Sequence, residues 1–240
     1  MQDFLIITFF AIVASVITTL VGFGVGTIMT PILVLFLPYE QALIVVGWIH
    51  MTSSFMKMVA FRKYIDWSLF LMCGIPAMFA SFLGAGLIPF VDRNLLVKFL
   101  GGMVLAYVLL EVLNPTFSIR KSNGTLIVGG AITGFSAGFF GLRGILVAMM
   151  LSSFGLTKEV FIGVTGAFSV IVDVVRLAVY HYNFVLPKPL IYELGFYVPL
   201  SLLVVHGSSY IVSYISVPWF KRILAFALSL IGLKLLIFGA

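Results

Sequence analysis

Long, almost uninterrupted runs of apolar residues constrain this chain more than any other feature. Residues 67–90 form one such run, which exceeds the length of about 20 residues that a helix needs to cross a bilayer. The runs do not alternate apolar with polar positions, as the strands of a transmembrane barrel do. We therefore predict membrane-spanning helices. Polar or proline-containing junctions separate eight runs, at residues 4–37, 41–61, 67–90, 94–113, 124–155, 158–181, 190–212 and 218–239.

The composition supports the same fold class, an all-α polytopic membrane protein. Hydrophobic side chains make up 62% of the 240 residues and charged ones 9%, whereas soluble domains have about 45–50% and about 25%. Most of the basic residues behind the net charge of +6 lie in the junctions, where they orient spans rather than bind nucleic acid. The single cysteine, Cys73, excludes an intramolecular disulfide and a cysteine metal cluster. As a separate prediction, we expect no cofactor.

The first and fifth runs are too long for a single span. A helix over residues 4–37 would extend about 50 Å, whereas the hydrocarbon core of a bilayer is about 30 Å thick. Both runs contain a glycine cluster, with the sequence GFGVG at 22–26 and GFFGLRG at 138–144. We predict that each run breaks at its glycines.

The two long runs belong to an internal repeat. An offset of 119 residues places Gly22 on Gly141 and Glu40 on Glu159, and it superposes the layout of a broken run followed by three spans. Transporter folds are often built from such repeats. We predict two repeats, 1–118 and 119–240, within one integral membrane domain, each a glycine-broken re-entrant helix pair followed by three transmembrane helices.

The basic residues of the junctions predict how the repeats are oriented. If each broken run crosses the membrane once, five of these residues lie on each side. If each broken run enters the membrane and returns to the same side, seven of these residues lie on one side and three on the other. This asymmetry agrees with the excess of Lys and Arg that cytoplasmic loops carry, and it favours the second arrangement. The repeats are then inverted, with both chain ends outside. The seven are Arg62, Lys63, Arg120, Lys121, Lys158, Lys221 and Arg222, and the three are Arg93, Lys98 and Lys188.

The start of the chain predicts that the first span is retained. Residues 1–4 contain no Lys or Arg, so the basic region of a cleavable signal is missing before the first apolar run.

The glycine breaks are candidate anion sites. Non-helical backbone within a membrane is tolerated where it is buried in protein or lines a wet cavity, and the helix that follows each break presents unpaired N–H groups that attract anions. Arg143 adds a permanent charge with a donor geometry suited to oxyanions. The alternative is that the glycines serve helix packing, because 134–138 also has GxxxG spacing. The predicted substrate-binding groups at the breaks are Gly24, Gly26, Thr27, Arg143 and Gly144.

Two polar stripes flank the breaks, each on one face of a predicted helix. Their matching positions in the two repeats indicate the walls of a shared cavity, with Ser53, Ser54 and Ser169 as further substrate-binding candidates. The first stripe consists of His50, Ser53, Ser54 and Lys57, and the second consists of Thr165, Ser169, Asp173 and Arg176.

The charged members of the stripes have two possible roles. Lys57, toward the inside, and Arg176, toward the outside, would attract the anion on their own sides; alternatively both snorkel to the interface, with Asp173 neutralising Arg176. His50 and Asp173 are the candidate proton carriers, since imidazole titrates near neutral pH. A buried hydrogen bond between helices is an equal alternative for His50.

One motif favours an enzyme. Residues 134–138 (GFSAG) match G-x-S-x-G, with Ser136 as nucleophile and His181 or His206 as base. The match is weak, because Ser136 lies within an apolar helical run rather than at a strand-to-helix turn. An intramembrane serine hydrolase therefore remains a remote alternative. There is no Walker loop, no HExxH and no paired Cys or His set for a metal.

The first break resembles a known family. Residues 22–33 (GFGVGTIMTPIL) resemble the GxGxG-x4-P-x-L signature of the sulfite exporter TauE/SafE family, and residues 38–42 (PYEQA) and 156–159 (LTKE) match its acidic loops. The resemblance covers nearly the whole chain. The second half departs from the pattern, because GLRG at 141–144 replaces a longer glycine run and Met149-Met150 stand where a proline is usual.

The resemblance implies a secondary transporter of small sulfur-containing anions, such as sulfite or organosulfonates, in a prokaryotic cytoplasmic membrane. Export and proton coupling are implied by the family alone. A passive anion channel of the same architecture is the alternative. Small-residue faces at Gly84, Gly86, Gly101 and Gly102 fit either packing within the chain or a homodimer.

Overall fold

The regular secondary structure of the described residues is entirely helical. The computed structural model describes residues 8, 25–113, 120–211 and 217–239. Two short 3-10 turns, Arg62–Tyr64 and Ile88–Phe90, lie between helices. The helices are α1 (Val25–Leu33), α2 (Tyr39–Ala60), α3 (Trp67–Leu87), α4 (Arg93–Leu113), α5 (Asn123–Phe140), α6 (Gly144–Ser152), α7 (Lys158–Asn183), α8 (Lys188–Ile211) and α9 (Val217–Phe238).

Polar residues of the junctions begin several of these helices. Asp66 accepts a hydrogen bond from Leu69 N at the start of α3, and Ser122 does the same for Thr125 N at the start of α5. Thr157 caps α7 in this way. Such side chains satisfy backbone N–H groups that have no partner within the helix. The polar junctions that separate the apolar runs therefore also contain the residues that start helices.

Several helices are long and apolar enough to cross a membrane, which confirms an all-α membrane protein. Within the described residues they are Tyr39–Ala60, Trp67–Phe90, Arg93–Leu110 and Lys158–Asn183. Large apolar side chains lie on the outside of the bundle, and Phe79 of α3, for example, is 61% exposed. A surface of this kind is suited to lipid and not to water.

A stripe of glycines brings α5 against α3. Gly130, Gly134 and Gly138 lie one turn apart and contact the backbone of Cys73, Ala77 and Ser81 in that order, so the two helices run parallel. A Cβ atom at Gly134 would collide with the backbone of Ala77. Small residues at this spacing allow helix backbones to approach closely in membranes. Packing is therefore what Gly134 and Gly138 do in this fold.

The other two principal helix pairs, α2 with α7 and α4 with α9, are antiparallel. In each pair the residue numbers fall along one helix as they rise along the other. The contacts that show this are Trp48 with His181, His50 with Asp173 and Met58 with Gly166 in the first pair, and Asn94 with Gly239 and Gly101 with Gly232 in the second.

The small-residue faces considered for a dimer are used partly within the chain. A Cβ atom at Gly84 would lie 2.6 Å from Phe135 O of α5, and one at Gly101 would lie 2.7 Å from Gly232 O of α9. These two glycines therefore pack between helices of the same chain. A Cβ atom at Gly86 would meet no atom within 4 Å. A homodimer stays a prediction.

We expect Gly134→Ala to lower the free energy of unfolding by about 1–3 kcal/mol, the usual cost of overpacking, because the added methyl group would collide with the Ala77 backbone. Thermal unfolding in detergent, followed by intrinsic fluorescence, measures the change. Gly86→Ala is the matched control, since the space around Gly86 of α3 is open. Equal unfolding temperatures for the two variants would contradict close packing of α3 on α5.

Candidate functional site

The second glycine cluster separates α5 from α6. Gly141 has a φ of 72°, in the left-handed region that glycine adopts most easily, and it ends α5. The Ser136 hydroxyl donates to Leu142 O at 2.7 Å across the turn. The break therefore lies where the glycine cluster predicts it. At the first cluster, α1 begins at Val25, and the residues before it, Gly24 included, lie outside the described residues.

Side chains from two other helices satisfy the buried carbonyl end of α5. Arg176 donates to Ala137 O at 3.2 Å, Tyr180 donates to Gly138 O at 2.5 Å, and Tyr39 donates to Phe139 O at 2.6 Å. The last carbonyl groups of a helix have no partner within it, and leaving them unpaired away from water is costly. The polar side chains of α2 and α7 thus make a helix end possible inside the bundle.

A charged cluster lies beside this break, consisting of His50, Arg143, Asp173 and Arg176. Asp173 is fully buried, and Arg143 grips its carboxylate with both terminal nitrogens, Nη1 at 2.8 Å and Nη2 at 2.6 Å. Arg176 Nε donates to the same carboxylate at 2.7 Å. With neutral His50, two guanidinium groups face one carboxylate, so the cluster has a net charge of +1. Such a charge is costly to bury and favours an anionic partner.

His50 contacts three members of its surroundings through one ring nitrogen. Its Nδ1 lies 2.9 Å from Asp173 Oδ2 and 3.1 Å from Ser54 Oγ, and it also contacts Arg143 Nη2. A ring nitrogen carries either a proton or a lone pair. Nδ1 can therefore donate to Asp173 or accept from Arg143, but not both. The ring is 15% exposed. Because Nδ1 donates when it carries a proton and accepts when it does not, a change of protonation at this nitrogen changes which neighbours His50 binds.

The two cations of the stripes differ in their surroundings. Arg176 is 1% exposed and ion-paired with Asp173, so it belongs to the charged cluster and does not snorkel to the interface. Lys57 is half-buried, and its side chain makes no hydrogen bond or ion pair within the described part of the chain. It lies close enough to Arg143 for the two positive charges to repel each other. Among the described residues, Lys57 is thus a cation near the break that has no ion-pair partner.

The first broken run contacts the second broken run at the glycine break of the second. A Cβ atom at Gly26 of α1 would collide with Gly141 O, and one at Gly141 would lie 2.9 Å from Thr30 Oγ1. Thr30 is fully buried, and its hydroxyl has no hydrogen-bond partner among the residues that the structure describes. Thr27 is buried one turn earlier.

The remaining predicted site residues lie on the same helices. Ser53 and Ser54 of α2 and Ser169 of α7 are buried, and Gly144 begins α6 directly after Arg143. Arg143 differs from its predicted role in one respect, because its donor fork already holds the carboxylate of Asp173.

Sequence reasoning missed Thr30, Tyr39 and Tyr180. Tyr180 follows Arg176 by one turn and Asp173 by two, so extending the second stripe finds it. Thr30 likewise follows Gly26 by one turn. No comparable signal marks Tyr39, because its partner carbonyl lies 100 residues away in the chain.

The residues of the hydrolase motif are engaged elsewhere. Ser136 lies within α5 and donates to a backbone carbonyl, and His181 accepts a hydrogen bond from Trp48 Nε1 at 3.0 Å. The side chain of His206 lies outside the described residues. Among those that are described, no three His, Cys, Asp or Glu residues form a group that could hold a metal ion.

Comparison with protein families identifies the chain. The model of the family described as sulfite exporter TauE/SafE matches residues 7–235. The chain belongs to this family. A search of curated proteins finds no significant match, and a search of solved structures finds none either. Because TauE/SafE is a family of membrane transporters, the protein is a membrane transporter, and the family implies a small anion such as sulfite as its substrate.

We expect Tyr180→Phe to lower the free energy of unfolding by about 1 kcal/mol, since a buried carbonyl loses its hydrogen bond. Equilibrium unfolding in mixed micelles measures the change. Tyr182→Phe is the control, because Tyr182 is 90% exposed on the same helix. A Tyr180 variant as stable as the control would mean that the hydroxyl does not support the helix end.

Proposed function

We propose that the protein is a secondary transporter that exports small sulfur-containing anions, such as sulfite or organosulfonates, across the cytoplasmic membrane by proton-coupled alternating access. One observation carries the proposal. Two buried guanidinium groups, those of Arg143 and Arg176, face a single carboxylate beside a broken helix. Excess positive charge inside a membrane protein is costly and usually functional. An oxyanion is the ligand that would neutralise it.

The surroundings of the break supply further donors for an oxyanion. The fork of Arg143 matches the geometry of sulfur oxyanions as it matches a carboxylate, and the N–H groups at Gly144 begin a helix at the same point. The first break would contribute its own groups, including the buried hydroxyl of Thr30, which has no partner within the described residues. In this proposal the binding groups are Gly24, Gly26, Thr27, Arg143 and Gly144, with Ser53, Ser54 and Ser169 in the cavity walls.

Proton coupling is assigned to His50 and Asp173. The two side chains are 2.9 Å apart, and His50 exchanges partners when its protonation changes. Binding of a proton at His50 adds a positive charge to the cluster, and release removes it. The affinity of the cluster for an anion therefore depends on that proton.

The helix arrangement supports two inverted repeats. The offset of 119 residues carries Val25–Leu33 onto Gly144–Ser152 at both ends, and the first residue of α2 onto the first residue of α7. Helices related by this offset, α2 and α7, pack in opposite directions. Equivalent helices that run in opposite directions are what an inverted repeat requires. We propose that the repeats are 1–118 and 119–240, with both chain ends outside.

The directions of the helices also support a re-entrant second break. Because a short turn joins α2 to α3, these helices are antiparallel, and α7 is antiparallel to α2. It follows that α7 runs parallel to α3, and α5 is also parallel to α3. Since α5 and α7 run in the same direction, the chain must return between them to the side on which α5 begins. The segment that can make this return is α6.

We expect native protein in proteoliposomes to take up radiolabelled sulfite when a pH gradient is imposed, and Arg143→Ala to reduce the initial rate about tenfold or more, since a charged hydrogen-bond donor is lost. Arg143→Lys keeps the charge without the fork and should fall between the two. Arg120→Ala is the control, because Arg120 is exposed in the junction before α5 and is not a member of the charged cluster.

The same assay separates carrier from channel. A passive anion channel would pass sulfite down its gradient without counterflow and without a response to the pH gradient. No uptake of sulfite or of any member of an organosulfonate panel would show that the proposed substrate is wrong, while the architecture would stand.

We expect Lys57→Gln to raise the KM for the anion several-fold without loss of stability, because the ammonium group has no partner to leave unpaired within the described residues. Arg176→Gln should reduce both transport and stability, since it removes bonds to Asp173 and Ala137 O. Initial rates and thermal unfolding, measured on the same preparations, test the difference. Lys63→Gln, in the exposed turn after α2, is the matched control. Unchanged transport in both variants would remove these cations from the pathway.

A further inference from the structure

We infer that Asp173 is an internal counter-anion, which occupies the place of the substrate between Arg143 and Arg176 and leaves these donors when the transported oxyanion binds. The inference rests on the proposed function and extends it, because it makes binding an exchange of one anion for another. The place is defined by the bidentate fork of Arg143 and by Arg176 Nε. All three donors are directed at the two oxygens of Asp173.

An anion cannot simply be added at the donors that hold Asp173. Asp173 is fully buried, and Arg143 and Arg176 are almost fully buried, so water does not reach the faces that meet. Both terminal nitrogens of Arg143 are bound to the carboxylate. A sulfur oxyanion presents pairs of oxygens to a guanidinium fork much as a carboxylate does. An oxyanion that takes the same donors of Arg143 must therefore replace Asp173.

The charges predict that a proton accompanies a dianion. The charged groups that act on Asp173 are His50 from α2, Arg143 from the break and Arg176 from α7. Tyr180 of α7 interacts with Asp173 as well, and Lys57 acts on Arg143. With His50 neutral, the charged cluster is neutralised by a monoanion. A dianion leaves it with one excess negative charge, and a proton on His50 or on the released carboxylate removes that charge. The proton must come from solvent, and His50, which is 15% exposed and lies next to Asp173 Oδ2, is the group nearest to the carboxylate that can take it up.

The position of the first repeat that is equivalent to Asp173 carries no acidic residue. At the offset of 119 residues, Ser54 stands where the second repeat has Asp173, and Lys57 stands where it has Arg176. Arg176 is ion-paired, whereas Lys57 makes no ion pair within the described residues. An anion can therefore bind Lys57 without competition, but it must displace Asp173 to take the donors of Arg143 that hold this carboxylate. In this scheme the anion arrives at Lys57 and is exchanged for Asp173 at Arg143.

Sulfate binding to detergent-purified protein tests the exchange without requiring transport. Sulfate stays a dianion over the working pH range, so its own titration does not interfere. We expect Asp173→Asn, measured by calorimetry, to bind sulfate at least tenfold more tightly than the native protein, because the internal competitor is gone. Glu40→Gln is the matched control, since Glu40 is also a largely buried carboxylate paired with an arginine, Arg93 at 2.8 Å, but lies outside the charged cluster. It should leave the affinity unchanged. Equal or weaker binding by Asp173→Asn would overturn the inference.

A second variant covers the case in which Asp173→Asn does not fold. The double variant Asp173→Asn/Arg176→Gln restores the net charge of the cluster to its native value but has no internal carboxylate. We expect it to bind sulfate more tightly than Arg176→Gln, which lacks the same donor but keeps the carboxylate, and equal or weaker binding would overturn the exchange. If the variants gain affinity while native protein does not transport sulfite, the exchange stands and the proposed substrate is wrong.

Discussion

The buried carboxylate of Asp173 is the interaction on which the rest of the structure depends. It receives hydrogen bonds from the break after α5, through Arg143, and from its own helix, through Arg176, and it contacts His50 of α2. A lone charge in such a place would be too costly to bury, and only a full set of partners compensates for the lost water. Because the partners come from three segments, one carboxylate holds these segments together. The positive charge that remains is the basis of the proposed anion site.

The broken helix is the second constraint, and the same side chains satisfy it. Backbone groups exposed within a membrane need partners, which hydrocarbon cannot supply. Arg176, Tyr180 and Tyr39 supply them at the end of α5, and the small residues along α3 and α5 let the two helices approach. Arg176 thus serves the carboxylate and the backbone together, which couples the shape of the break to the charge beside it. A change in that charge therefore also affects the carbonyl end of α5.

Much of this architecture follows from short-range pattern. Apolar runs of bilayer length predict the helices, the glycines at 138–144 predict the break after α5, and Asp173 and Arg176 share a helix face by their spacing of three residues. The TauE/SafE resemblance, based on residues 22–33, is confirmed by a match over 7–235. The partners are harder to predict. Spacing treats Lys57 and Arg176 as equivalents, yet one makes no ion pair within the described residues while the other is buried against a carboxylate.

Hydropathy, chain length and glycine content are enough to specify a membrane-embedded helical chain, the position of its second break and the residues able to carry charge there. Arg143, His50 and Asp173 come together only through folding, since the pairs His50–Asp173 and Arg143–Asp173 are separated by 123 and 30 residues along the chain. Folding also places a carboxylate in the donor fork of Arg143. The physical reason is that pairing of buried charges is a property of distance in space, and distance along the chain does not specify it.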